Sequence, residues 1–103
     1  AFNYHVIHDI KKAEIQAGNV YINLMENDLV VLIEKIMAQK LVVGTDVGVI
    51  SYNETPLKKI ILNGITTIST DFEKMGQTAA QLIMDHSFEK KRNPFKLTLR
   101  ESL

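Results

Sequence analysis

Two short polar clusters carry the side chains most able to do chemistry. Glu26-Asn27-Asp28 and Ser51-Tyr52-Asn53-Glu54 each crowd amide, hydroxyl or carboxylate groups into consecutive positions. An asparagine amide both donates and accepts, so it can grip a hydroxyl that also gives and takes. Such groups converging on one rim suit a small polyhydroxylated ligand such as a sugar. Phe72 is a third candidate, in Thr70-Asp71-Phe72, where a β-branched run passes straight into a helical pattern. Each has a plainer reading. Asn27 and Asp28 can serve a helix start, Asn53 and Glu54 can shape a turn, and Phe72 can be core. Catalysis has no support: the carboxylates are scattered, and there is no G-x-S-x-G, phosphate loop, dinucleotide fingerprint or zinc spacing. His5 and His8 stand three apart in a strand-like segment, on opposite faces, and do not read as a ligand pair. No metal or cofactor is expected.

Composition removes further classes. Twelve basic residues balance 12 acidic ones, so no overall positive field draws in nucleic acid or an anionic membrane. "EKKRNP" (89–94) reads as a solvated turn, and this chain itself is not expected to bind DNA. There is no cysteine, hence no disulfide, zinc-thiolate site or thiol nucleophile, which fits a reducing compartment. The longest uninterrupted apolar run, Leu29 to Ile33, is far too short to span a membrane. No signal peptide is visible. The opening "AFNYHVIHDI" lacks a Met, and the chain is expected to be a piece of a longer protein.

The positioning elements alternate. "YHVIHDI" (4–10) and "VYINLM" (20–25) read as strands, separated by a connector ending in Gly18-Asn19. A helix is predicted from Asp28 to Gln39 with Asn27 as N-cap. Its run Leu29 to Ile33 points in every direction, so it should be covered on more than one side. "GVISYN" (48–53) is a third strand, followed by a short helix, "PLKKIIL", closed by Asn63-Gly64. "ITTIST" (65–70) is a fourth strand. Thr70 is expected to cap the last long helix with Glu73 completing the box, over a buried stripe of Phe72, Met75, Ala79, Leu82 and Ile83. "PFKLTLR" (94–100) is a late strand. This alternation predicts an α/β fold of three layers, a mainly parallel sheet flanked by helices. Ligands in such sheets sit beyond the carboxyl ends of the strands, which puts both polar clusters on one edge.

The run Val43-Gly44-Thr45-Asp46-Val47-Gly48-Val49-Ile50-Ser51-Tyr52-Asn53-Glu54-Thr55 continues with Ile65-Thr66-Thr67-Ile68, Asp71-Phe72 and Met75-Gly76. In order and spacing it resembles the C-terminal part of the sensor domain of the lactose/galactose-repressor family, with Asn27-Asp28 matching that family's upstream N-D. The wording of "GVISYNETPLKK" and "GITTISTDF" is similar to a bacterial subset with a winged-helix head of the GntR type. The resemblance spans about residues 20–100. It implies a two-lobed, periplasmic-binding-protein-like sensor whose closure on an effector alters an attached DNA-binding head.

On that resemblance, residues 1–68 belong to the C-terminal lobe and 94–100 form a strand returning to it. The helix at 71–87 would pack on the other lobe, absent here, or on a neighbouring chain, with Thr70-Asp71-Phe72 as hinge, pocket wall and cap. The implied effector contacts are Asn27, with Asp28 beside it in the motif, Asn53 and Phe72. Asn53 stands where the family has aspartate, so the contact is uncharged, and Ser51 replaces the usual glycine. A homodimer is expected through Leu32 and Ile36 of the first long helix and Leu57, Ile60 and Ile61 of the short one. The resulting expectation is the sugar-sensing, dimerising part of a cytoplasmic bacterial regulator that touches DNA only through its head and has no membrane contact. The alternatives are the matching lobe of a sugar-binding protein for a transporter, or a small flavodoxin-like enzyme.

Overall fold

The first three strands owe their form to β-branched residues, most densely in Thr66-Thr67-Ile68-Ser69-Thr70. The computed structural model describes residues 2–103. It has strands β1 (Val20–Asn23), β2 (Gly48–Tyr52), β3 (Thr66–Thr70) and β4 (Phe95–Thr98), and helices α1 (Glu26–Ala38) and α2 (Phe72–Met84). One sheet runs in the order β1-β2-β3-β4. β1, β2 and β3 are mutually parallel, while β4 returns antiparallel to β3. The fold is thus α/β with a mostly parallel sheet.

The register pairs Tyr21 with Val49, Asn23 with Ser51 and Ser51 with Thr67, so these side chains share one face. Helix α1 covers it. Leu29, Leu32 and Ile36 meet Val47, Val49, Ile65 and Ile15 in a core of fully buried side chains. Each such Leu or Ile contributes about 1.5–3 kcal/mol by leaving water. The apolar girth of α1 is only partly used, since Val30 and Met37 remain 53% and 63% exposed. The opposite face stays open: Val20 and Ile22 are 53% and 64% exposed, and Phe95 and Leu97 are 63% and 57% exposed. The described residues therefore supply two of the three layers expected.

Several local expectations are corrected. Residues 4–10 form no strand; they run exposed to a short 3-10 turn at Ile10–Lys12 capped by Asp9. An extended segment with no neighbour to pair with gains nothing from its β propensity. The "PLKKIIL" helix is two 3-10 turns, Leu57–Lys59 and Ile61–Asn63. Leu62 and Asn63 at φ 50° and 62° turn the chain back towards β3, and Ile65 N donates to Lys58 O. Asp71, not Thr70, caps α2, its carboxylate accepting from Lys74 N. Glu73 instead accepts from Gln77 one turn on, so the expected box does not form. No α2 residue is buried, and Phe72 and Ile83 of its stripe are 53% and 75% exposed.

The last residues close the opposite edge. Ser102 is fully buried, its Oγ donating to Val49 O at 2.6 Å and accepting from Thr66 N at 2.7 Å. Val49 N donates to Ser102 O. The tail thereby bridges β2 and β3 where their own ladder has not yet begun.

Candidate functional site

Three parallel strands deliver three junctions to one edge: β1 into α1, β2 into the turn at residue 53, and β3 into α2. At the first junction the helix starts two residues earlier than expected. Met25 is its N-cap and provides no side-chain bond, and Leu29 N donates to Met25 O. The Met25 carbonyl also accepts from Asn23 Nδ2 at 3.1 Å. Asn27 and Asp28 therefore lie inside the first turn, exposed, and Asn27 is not spent on capping. Glu26 and Asp28 both sit at the positive end of the helix dipole.

At the second junction Asn53 adopts φ 68°, a left-handed conformation that asparagine tolerates better than most residues. Its N–H still donates to Ile68 O, so the turn is bound to β3. Asn53 Oδ1 and Thr55 Oγ1 are enclosed with no hydrogen-bond partner among the described residues. Glu54 turns back into the chain: its N–H donates to Ser69 Oγ, and both carboxylate oxygens accept from Arg100. The Arg100 hydrogen bond holds the Glu54 carboxyl below its usual range, outweighing the opposing effect of burial. A carboxyl lowered in this way stabilises the fold above its unfolded value, and that contribution is lost as pH falls through the lowered one.

Lys58 joins the first two junctions. It is only 2% exposed. Its ammonium donates to Tyr52 O at 3.0 Å and Asn53 O at 2.8 Å, and pairs with Glu26 Oε1 at 2.9 Å. All three of its donors are used. In the sequence Lys58 is only a member of the short helix; nothing in "PLKKIIL" separates it from Lys59, which is exposed.

Beneath the edge lies a buried polar row. Asn23, Ser51 and Thr67 are register partners across β1, β2 and β3, and are 7%, 0% and 0% exposed. Asn23 Oδ1, Ser51 Oγ and Thr67 Oγ1 lack partners among the described residues. Ser51, noted in the sequence as a departure, is thus a member of this row and lies within β2. At the third junction Phe72 opens α2, half exposed, and Asn93 Nδ2 donates to Asp71 O. The edge therefore gathers Asn27, Asp28, Asn53 and Phe72. Among the described residues no group of three or more His, Asp or Glu side chains could hold a metal ion. His5 and His8 are exposed.

The model of the periplasmic binding protein-like domain family matches residues 25–103, most of the chain. The chain belongs to that family. This periplasmic-binding-protein-like chain also shares its fold with solved transcription regulators. One is the lactose repressor bound to the anti-inducer ONPF in its induced state, at TM-score 0.67 and 22% identity, covering 84% of this chain and 34% of that one. Another is a PurR family transcriptional regulator from Vibrio parahaemolyticus RIMD 2210633, at TM-score 0.67 and 23% identity, covering 82% of this chain and 32% of that one. The chain thus spans about a third of the length of the solved structures it resembles. No curated protein matches it.

The dimer residues divide. Leu32 and Ile36 are 1% and 0% exposed inside the domain's own core, so they offer no surface to a partner. The reason is one of phase: the stripe read as surplus is the stripe that meets the sheet. Ile61 is half buried against the same core. Leu57 and Ile60 are 55% and 73% exposed and remain available. No helix among the described residues is long and apolar enough to cross a membrane.

Proposed function

We propose that this periplasmic-binding-protein-like domain is the effector-sensing and dimerisation region of a bacterial transcriptional regulator, with a sugar as effector. What supports the reading is that Asn27, Asp28, Asn53 and Phe72 follow directly on the carboxyl ends of three parallel strands. The fold supports it, since the lactose repressor, a relative in shape, is solved with the small molecule ONPF. On this reading DNA is touched only through a separate head, of the GntR winged-helix type. The protein works in the cytoplasm, and two copies meet through Leu57 and Ile60.

Calorimetric titration with D-galactose, D-glucose, L-arabinose and D-ribose tests the site. One of them should bind, and Asn53→Ala should weaken it several-fold, since a lost hydrogen bond costs about 1 kcal/mol. A variant that loses melting temperature but keeps affinity would show that Asn53 only shapes its turn. Ile60→Asp should convert a dimeric parent to monomer in light scattering, because a charge at an apolar contact finds no partner; a monomeric parent removes the dimer. A lobe of a transport protein is the second reading, and the residues preceding Ala1 decide it: a DNA-binding head or a signal sequence.

A further inference from the structure

We infer that Lys58 is a positioning residue of the effector site, a clamp that fixes how far Asn27 stands from Asn53. The inference rests on the effector reading above. The two asparagines lie on different elements, α1 and the turn after β2, and no described hydrogen bond joins their side chains directly. Beyond the end of the β1–β2 ladder at Asn23 and Ser51, one ammonium group links the residues around the two asparagines. Lys58 Nζ holds Asn53 by its own carbonyl, at 2.8 Å, and holds the neighbour of Asn27 by the Glu26 carboxylate, at 2.9 Å. The third bond, to Tyr52 O, fixes the end of β2.

The geometry has the properties a clamp needs. The lysine stem is buried, so its head is held by packing as well as by hydrogen bonds. Asn53 sits at φ 68°, a conformation asparagine accepts, and its carbonyl and N–H are both bonded there, to Lys58 Nζ and Ile68 O. Glu26 is 56% exposed, but among the described residues it is the only counter-charge of the buried Lys58 ammonium, so its loss costs stability as well as position. The bond draws the first turn of α1 towards β2. A ligand spanning both asparagines meets donors and acceptors already spaced, and avoids the cost of ordering them on binding.

The partly exposed end of the clamp permits a test that leaves the core alone. Glu26→Ala cuts the link between α1 and Lys58, and Glu26→Gln keeps an acceptor there. The full chain and both variants are titrated with the same four neutral monosaccharides, and hydrogen exchange is followed at the hydrogen-bonded amides 29–31 and 53–54. Glu26→Ala should melt somewhat below the parent, because it leaves the buried Lys58 ammonium without a counter-charge, bind the sugar about ten-fold more weakly, and exchange faster in the first turn of α1 while the sheet amides stay protected; Glu26→Gln should recover most of the loss in affinity and exchange. Lys58→Met, read alongside, should loosen both amide groups at once. The clamp is overturned if Glu26→Ala matches the parent in exchange at 29–31. It is also overturned if the variant's affinity holds while exchange rises. Should the parent bind none of the sugars, the effector reading falls, and the exchange data alone still decide whether Lys58 holds the two segments together.

Discussion

Ile36→Ala should lower the unfolding free energy by about 2–5 kcal/mol, the usual loss when a buried isoleucine is cut to a methyl group. Ile36 is 0% exposed and sits where α1 meets β2 and the segment before β3. A domain of this size is stable by about 5–15 kcal/mol, so the change removes a large share of the margin. Urea unfolding should show a lower midpoint at an unchanged slope. The same experiment separates a core role from a contact between copies. A core loss is independent of protein concentration, whereas a loss through an interface shrinks as concentration rises. A loss below about 1 kcal/mol would mean that α1 is less firmly seated than its burial implies.

Gly44→Ala should be the most costly addition of a single methyl group. Gly44 holds φ 89°, and a Cβ there would run into the carbonyl oxygen of Glu101. The left-handed backbone costs a residue with a Cβ about 1–2 kcal/mol, and overpacking against rigid backbone adds about 1–3. Gly18 is the matched control: it has nearly the same angle, φ 88°, and nothing within 4 Å of the added methyl. Subtracting the loss in Gly18→Ala from that in Gly44→Ala isolates the collision. The difference should be at least about 1 kcal/mol. The strain relieves itself most easily by letting the tail go, which strips Ser102 from Val49 and Thr66. Faster hydrogen exchange at those two amides is therefore expected; equal losses in the two variants would refute the account.

The legible parts of this molecule were those governed by local pattern. The β-branched runs gave β1, β2 and β3 to within a few residues, and the apolar spacing gave α1 and α2. Motif order pointed to a periplasmic-binding-protein-like sensor, and residues 25–103 match that broader family. What was hidden depends on partners. Residues 4–10 look like a strand but have no neighbour to pair with. The stripe of α2 has the spacing of a buried face, and spacing cannot say whether anything lies opposite it. Leu32 and Ile36 could be assigned to core or to surface only once the rotation of α1 on the sheet was known. The edge was visible because Asn27, Asn53 and Phe72 stand next to element ends. Lys58 was not, since its role comes from contacts with Tyr52, Asn53 and Glu26, and nothing in a Lys-Lys pair says which ammonium turns inward.

The passage from β3 to α2 through Asp71 alone has a mechanical meaning. Asp71 is tied on both sides, its N–H donating to Pro94 O and its carbonyl accepting from Asn93. The 13 residues of α2 rise about 20 Å from that point. By simple trigonometry on that length, a rotation of about 10° at Asp71 carries the far end, near Met84, through about 3.5 Å. On the proposed effector reading, the Phe72 ring at the rim and the far end of α2 would be the short and long arms of one lever turning at Asp71. A shift there too small to disturb the sheet would be read out, several times enlarged, at the tip.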